Sequence, residues 1–322
     1  MAIHELDLER SSSRPDQHDT EQRPLGGPLQ LFVTGAVILV PFLAALLALT
    51  GLIGERVSWF DLGLLVAGYA VTVLGVTAGY HRLFTHRSFV ARRPLKIALA
   101  VLGSFALQGS LVDWVTTHRR HHQYSDRPGD PHSPVSPTPR SQWKGLLHAH
   151  VGWLFRVPAP ARRRDAADLL IDRDLRVVSG LFPVFAALTL AVPFFAGWAV
   201  AGTVSGAVTA LIWGGLVRIF LAHHLTWSIN SVCHMVGKRP FRTTDQSRNV
   251  GALALLSMGE SWHNAHHAFP TLARHGVDRR QVDLTAACIR VWERLGLVHS
   301  VHWPDVTKLA LRRVPVVASS AA

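Results

Sequence analysis

What most constrains this chain is where its charges are missing. Setting histidine aside, no Asp, Glu, Lys or Arg occurs between Arg23 and Glu55, a gap of 31 residues, or between Asp61 and Arg82, a gap of 20. A third gap of 41 residues separates Arg176 from Arg218. A charge in the bilayer core is costly, and about 20 apolar residues of helix cross its roughly 30 Å of hydrocarbon. The first gap holds one crossing, over residues 29–53, and the second holds another that ends near Arg82. The third is long enough for nearly two, broken around residues 197–202, with the fourth helix continuing past Arg218 towards Cys233. Only residues 54–61 join the first two crossings, so they form a tight hairpin, and the last two form another. The expected fold class is an all-α integral membrane protein with four transmembrane helices in two hairpins.

Composition agrees. Of 322 residues, 48% are hydrophobic and only 17% charged, against about 25% charged in soluble proteins. The net charge of +12 raises nucleic-acid binding as a rival, but the basic residues are scattered between long apolar runs rather than gathered on one stripe. Their distribution does orient the chain. The short loops at 54–61 and 197–202 carry one basic residue, Arg56. The opposite side carries Arg82, Arg87, Arg92, Arg93, Lys96, Arg119, Arg120, Arg162, Arg163 and Arg164. The positive-inside rule makes that side cytoplasmic, with both termini there. Residues 1–28 are polar and rich in Ser, Arg, Asp and Gln, and are expected to be a disordered cytoplasmic tail. They do not open as a cleaved signal peptide does. Residues 29–270 form the expected membrane domain, and 271–322 a cytoplasmic C-terminal helical segment and tail. Two cysteines, Cys233 and Cys288, make no disulfide framework. The bias towards Ala, Arg, Leu and Val suggests a GC-rich bacterial genome, which would make the membrane the plasma membrane.

Nineteen histidines matter less by number than by clustering. Three clusters stand out: His81 with His86; His118, His121 and His122; and His263, His266 and His267. In the last two, the spacing i, i+3, i+4 puts three imidazoles on one helix face, as a transition-metal site requires. The i, i+5 spacing of the first does not fit one straight helix face, but works where a helix end turns into a loop. All three lie at span ends on the predicted cytoplasmic side. Eight histidines exceed what one metal needs and suggest two metals in one site. No His-Glu-x-x-His zinc motif occurs, since Asn264 follows His263. The paired Glu-x-x-His motifs of soluble di-iron bundles are also missing, since Glu260 to His263 is the one such spacing in the chain. Spacing does not choose among iron, zinc and copper.

The clusters also constrain topology. A fifth apolar stretch, residues 97–112, lies between His86 and His118. One crossing there would put those clusters on opposite faces. Two crossings would need about 40 residues, and only 31 separate the clusters. The stretch is therefore expected to be a re-entrant or interfacial helix, with the histidines in a cytoplasmic helical cap.

From about Gly79 to Pro270 the chain resembles the membrane fatty acyl-CoA desaturases, the stearoyl-CoA Δ9 type in particular. The resemblance is carried by Gly79-Tyr-His-Arg-Leu-Phe-Thr-His86, Asp113-Trp-Val-Thr-Thr-His-Arg-Arg-His-His122, Asp130-Pro-His132, His150-Val-Gly-Trp153, Asn230-Ser-Val-Cys-His234 and Gly259-Glu-Ser-Trp-His-Asn-Ala-His-His-Ala-Phe-Pro270. It implies a di-iron centre with nine histidine ligands, the eight above plus His234, and Asn230 holding a metal-bound water. It implies a bent tunnel for a saturated acyl chain, with Gln108, Trp114, Thr226 and Trp227 at the kink. A saturated chain has no polar handle, so shape must choose which methylenes react. The adjacent His223 and His224 match no ligand position and are expected to pack between helices or beside the tunnel. The implied activity is oxygen-dependent insertion of a cis double bond. No His-Pro-Gly-Gly haem motif occurs, so electrons would come from a separate ferredoxin- or cytochrome-type donor and its reductase, drawn to the basic face. One departure concerns the acyl carrier. The Arg-Asp pair that engages coenzyme A in the animal enzymes is Thr116-Thr117 here. Arg156, Arg162 and Arg163 are the candidate carrier contacts, and coenzyme A, a carrier protein and a phospholipid all stay open. Two other functions compete: a di-iron membrane hydroxylase and a metal transporter. A transport site usually lies at the bilayer midplane, not at the margin where these histidines fall.

Overall fold

The computed structural model describes residues 23–24, 27–50, 56–135, 141–157 and 163–315. The expected tail before residue 23 and the side chains of Arg162 and Arg163 lie outside the described residues. The chain is mostly helical. Four helices are long and apolar enough to cross a membrane: α1 (Pro28–Thr50), α2 (Trp59–Thr85), α8 (Phe182–Ala201) and α9 (Val204–His234). Between them lie α3 (Arg93–Ser104), α4 (Leu111–Tyr124), α5 (Gln142–His150), α6 (Ala167–Ile171) and α7 (Arg173–Gly180). After α9 come α10 (His263–Ala268), α11 (Leu284–Arg294) and α12 (Val306–Arg312). Two-residue antiparallel pairings, Val90–Ala91 with Val298–His299 and Arg23–Pro24 with Arg156–Val157, tie distant loops together.

The long helices begin and end where their sequences dictate. Ser58 and Asp61 form a reciprocal capping box at the start of α2. Gly202, at φ +68°, ends α8 in the left-handed conformation, and Thr203 caps α9 by accepting the Gly206 amide. Helices α8 and α9 run close together because small residues line the contact: a Cβ on Gly197 would lie 2.3 Å from that of Ala210. Leu29, Phe32, Leu39, Leu46 and Leu49 of α1, and Val192, Phe195, Trp198 and Val200 of α8, are exposed. So large an apolar belt suits hydrocarbon rather than water.

Helix α3 has 12 residues, about 18 Å at 1.5 Å per residue, too short for the bilayer core. It packs against the end of α2 and against α7 and α8. The chain then turns at 105–110, with Leu107 at φ +57°, and re-enters a helix at Leu111. Residues 97–112 thus bend back rather than continue, and His86 and His118 meet. Where α2 and α3 touch there is no room for a side chain: a Cβ on Gly75 would lie 2.3 Å from the Gly103 nitrogen. Residues 271–315 fold onto the same body. Arg82 pairs with Asp283 at 3.0 Å, the Arg312 guanidinium donates to the Ala268 carbonyl, and Val314 N–H to that of Pro240.

Candidate metal centre

Helix α2 does not stay α-helical to its end. Residues Gly75–Thr85 are wound as a π-helix, and the His86 amide donates to the His81 carbonyl five residues back at 3.1 Å. This wider winding, which is common at functional sites, is what brings His81 and His86 together, their rings 4.8 Å apart. The i, i+5 spacing is thus met by π-winding of the last turns, where a simple helix-to-loop turn was expected. His86 itself caps the helix.

The two His-x-x-His-His helices are used in opposite senses. Ring nitrogens of His81, His86, His118, His122 and His266 lie within 4.8 Å of one another, and so do those of His121, His234, His263 and His267. Helix α4 sends its i and i+4 histidines to the first group and its i+3 histidine to the second. Helix α10 sends its i+3 histidine, His266, to the first and its i and i+4 histidines to the second. All nine histidines singled out from the sequence fall into these two nests, and among the described residues no other does.

Tautomers are set from behind. His121 Nδ1 faces Asp130 at 3.0 Å, His234 Nδ1 faces Asp126 at 2.8 Å, and His267 Nδ1 faces Asp245 at 2.8 Å. His81 Nδ1 lies 2.5 Å from Glu260. A neutral imidazole that donates from Nδ1 has a lone pair on Nε2. Yet the Nε2 atoms of His121 and His267 face each other at 3.3 Å, those of His234 and His263 at 3.0 Å, and those of His81 and His266 at 3.1 Å. His121 and His267 both face carboxylates through Nδ1, so their neutral rings would turn lone pairs on each other, which repel unless a proton or a metal lies between them; His263 and His266 have no Nδ1 partner among the described residues. Donors about 2.1 Å from one ion at tetrahedral to right angles sit about 3.0–3.4 Å apart. The spacing therefore fits a metal in each nest, and the tautomers of the four carboxylate-backed rings fit it too.

Electrostatics point the same way. Burial, then the neighbouring histidines, hold His86, His118, His122, His263, His266 and His267 well below the usual imidazole value, so these rings stay neutral, as ligands must. Burial also opposes charge on His121, but Asp130, with Asp126 and Asp245, outweighs it and raises its basicity. Burial alone would raise the Glu260 carboxyl; His81, Arg82 and His275 outweigh it and keep it ionised.

A cavity of about 620 Å³ opens beside the first nest, with α1 residues Val33 and Val37 on one side and Trp153, Thr226 and Trp227 on the other. A second, of about 50 Å³, is lined by Val73, Thr77, Ala222 and Ser257. Both are bordered by Gln108, Trp114, His118, Thr226 and Asn230. At that shared corner Trp114 Nε1 donates to Gln108 Oε1 at 3.2 Å, and Gln108 Nε2 to Thr226 Oγ1 at 2.9 Å. His223 lines the larger cavity and faces the carbonyls of Ala106 and Leu107 at 3.0 Å, joining both roles expected of it. His224 faces His150 at 3.0 Å. Thr116 is buried and donates back to the Val112 carbonyl, while Thr117 lines the cavity. Arg156 is exposed, two residues beyond the cavity-lining Leu154.

A family model, fatty acid desaturase, matches residues 57–293. The chain belongs to the fatty acid desaturase family. It is an oxidoreductase of lipid metabolism, and its relatives span several substrates. The hex-5-enoyl-[acyl-carrier protein] acetylenase of Moorena producens is 37% identical over 85% of this chain and 87% of its own. The acyl-CoA C20 Delta5-desaturase of Anemone leveillei is 38% identical over 77% and 76%. The sn-1 stearoyl-lipid 9-desaturase of Synechocystis sp. is 35% identical over 82% and 79%. Three kinds of acyl carrier appear in these three names. In this desaturase, sequence spacing missed the carboxylates behind the histidines. Asp130 and Glu260 sit inside motifs already noted, whereas Asp126 and Asp245 carry no spacing signal at all.

Proposed function

We propose that this desaturase inserts a cis double bond, at the Δ9 position, into a saturated acyl chain at a di-iron centre. Five histidines (His81, His86, His118, His122 and His266) would hold one iron, and four (His121, His234, His263 and His267) the other. The observation that carries the reading is the pair of nests, four of whose rings are backed by carboxylates, beside two mainly apolar cavities that share a border. Bound iron, with oxygen and electrons from a separate ferredoxin- or cytochrome-type donor and its reductase, would supply the oxidising power to remove two hydrogens. The chain's own residues do the rest. Asp126, Asp130, Asp245 and Glu260 hold the imidazoles in the ligating tautomer. Asn230, at the corner of both cavities, is placed to hold a metal-bound water. Gln108, Trp114, Thr226 and Trp227 bend the acyl chain beside the metals, so that shape selects the reacting carbons. The apolar lining excludes water. Arg156, Arg162 and Arg163 are the proposed contacts for the acyl carrier, which is coenzyme A, a carrier protein or a lipid.

We place both nests and both termini on the cytoplasmic side of a bacterial plasma membrane, with the four spans as two hairpins. The single basic residue of the opposite short loops supports this orientation. Residues 29–270 serve as the membrane desaturase domain and 271–322 as a cytoplasmic C-terminal helical segment and tail. Expression in a host lacking unsaturated fatty acids, followed by lipid mass spectrometry, tests the reading. New cis-monoenes are expected; hydroxy acids without monoenes would overturn it in favour of a hydroxylase.

A further inference from the structure

Arg218 lies near the middle of α9, 16 residues from His234, and is 3% exposed. Among the described residues it forms no ion pair with a carboxylate. Instead every partner is neutral: the carbonyl of Gly214, the hydroxyl of Thr72 on α2, the hydroxyl and carbonyl of Thr189 on α8, and the carbonyl of Phe105. Phe105 ends α3. A helix C-terminus carries about half a negative charge and leaves its last carbonyls without backbone partners. The α3 terminus is thus the counter-charge of Arg218. The next two carbonyls, Ala106 and Leu107, are taken by His223 at 3.0 Å, and Leu107 is held at φ +57°. Gln108 then bonds Thr226 at 2.9 Å.

The order of these contacts is regular. Along α9, Arg218, His223 and Thr226 grip residues 105, 106–107 and 108 in turn, and Asn230 follows beside the metal nests. The span from Arg218 to Asn230 is about 18 Å of helix. We infer that Arg218 and His223 are positioning residues that fix the re-entrant turn 105–108 against α9, and so set how far the cavity corner lies from the metals and which carbon pair reacts. Neither touches the reacting atoms. They act through Gln108, whose amide closes the corner. The inference rests on the desaturase reading above and adds residues that determine its regiospecificity.

The experiment compares Arg218→Lys and His223→Leu with the unaltered chain in the same host. Lysine keeps the charge facing the α3 terminus but cannot span Thr72, Thr189 and Phe105 as a planar fork does. Leucine releases the two carbonyls. Monoene positions are mapped by mass spectrometry of derivatised lipids, bound iron is measured, and amide hydrogen exchange of residues 105–110 is followed in the purified protein. In both variants, product at neighbouring positions is expected to rise at least tenfold relative to the main isomer. Turn 105–110 should exchange faster, with iron content unchanged. His223→Leu, which leaves the buried cation alone, keeps the test open if Arg218→Lys fails to fold. A single isomer at the original purity in a folded, iron-loaded variant overturns the inference. Absence of monoenes from the unaltered chain overturns the desaturase reading instead.

Discussion

The two histidine nests differ in what stands behind them. In the four-histidine nest, three rings are each backed by their own carboxylate: His121 by Asp130, His234 by Asp126 and His267 by Asp245. In the five-histidine nest, among the described residues, only His81 is so backed, by Glu260. That carboxylate is shared with Arg82 at 3.2 Å and His275 at 3.5 Å. The smaller nest thus compensates for fewer ligands with more nearby negative charge, while the larger relies on number. A carboxylate hydrogen-bonded to a ligand imidazole makes it a better donor. The two proposed metals should therefore be held by different means, and removing one histidine should hurt the smaller nest more.

The sharpest break of that comparison is His267→Ala against His86→Ala. Losing His267 leaves three ligands and strands Asp245 at a buried site. Activity should fall by more than the roughly 100-fold that loss of an outer partner costs, and bound iron should drop towards half. His86 has no carboxylate behind it, and its Nε2 has no hydrogen-bond partner. Its loss leaves four ligands, so more iron should remain, as measured by elemental analysis on purified protein. Equal iron loss in the two variants would erase the distinction. Unchanged iron and activity in His267→Ala would sink its assignment as a ligand.

A smaller effect is expected from the carboxylates themselves. Asp130→Asn keeps the shape but removes the charge behind His121. About 10- to 100-fold weaker metal binding is expected, read by competition with a chelator. Glu260→Gln should fall at the low end of that range, because Arg82 keeps Asp283 as a partner at 3.0 Å and His81 keeps a hydrogen-bond acceptor. If Glu260→Gln proves the worse of the two, charge behind the nest is not what separates them.

How much of this was readable in the sequence depends on range. The four spans follow from charge gaps, and the two His-x-x-His-His faces from helical spacing, because both signals are local. The division of each face between two nests was not readable, since it depends on how α4 and α10 meet. The π-winding behind His81 and His86 has no sequence mark beyond an awkward i, i+5 interval. The fourth helix runs past Arg218 as expected, but the partners that hold that charge inside the span, from α2, α8 and the α3 turn, carry no local mark. Asp245 reaches His267 from 22 residues away, and Asp126 reaches His234 from 108. No periodicity encodes such contacts.

The smallest and most discriminating test is acid sensitivity. His132 packs tilted against His121 behind the four-histidine nest, its ring 4.4 Å away, and burial followed by His121 lowers it to about 3. His275 packs at 4.4 Å from His266 behind the other nest, and burial followed by Arg82 lowers it to about 4. Both are neutral when folded and titrate near 6.5 when unfolded. Between those values the unfolded chain binds the extra proton, so stability present above about pH 6.5 is lost as pH falls. One such group contributes a slope of at most about 1.4 kcal/mol per pH unit. His275→Gln should remove one group's share between about pH 6.5 and 4. His132→Gln should likewise remove its share as pH falls below about 6.5. Thermal unfolding of the iron-loaded protein from pH 7 downwards reads the slopes rather than the absolute midpoints. Parallel curves for both variants and the unaltered chain would mean that neither ring is kept neutral by its burial.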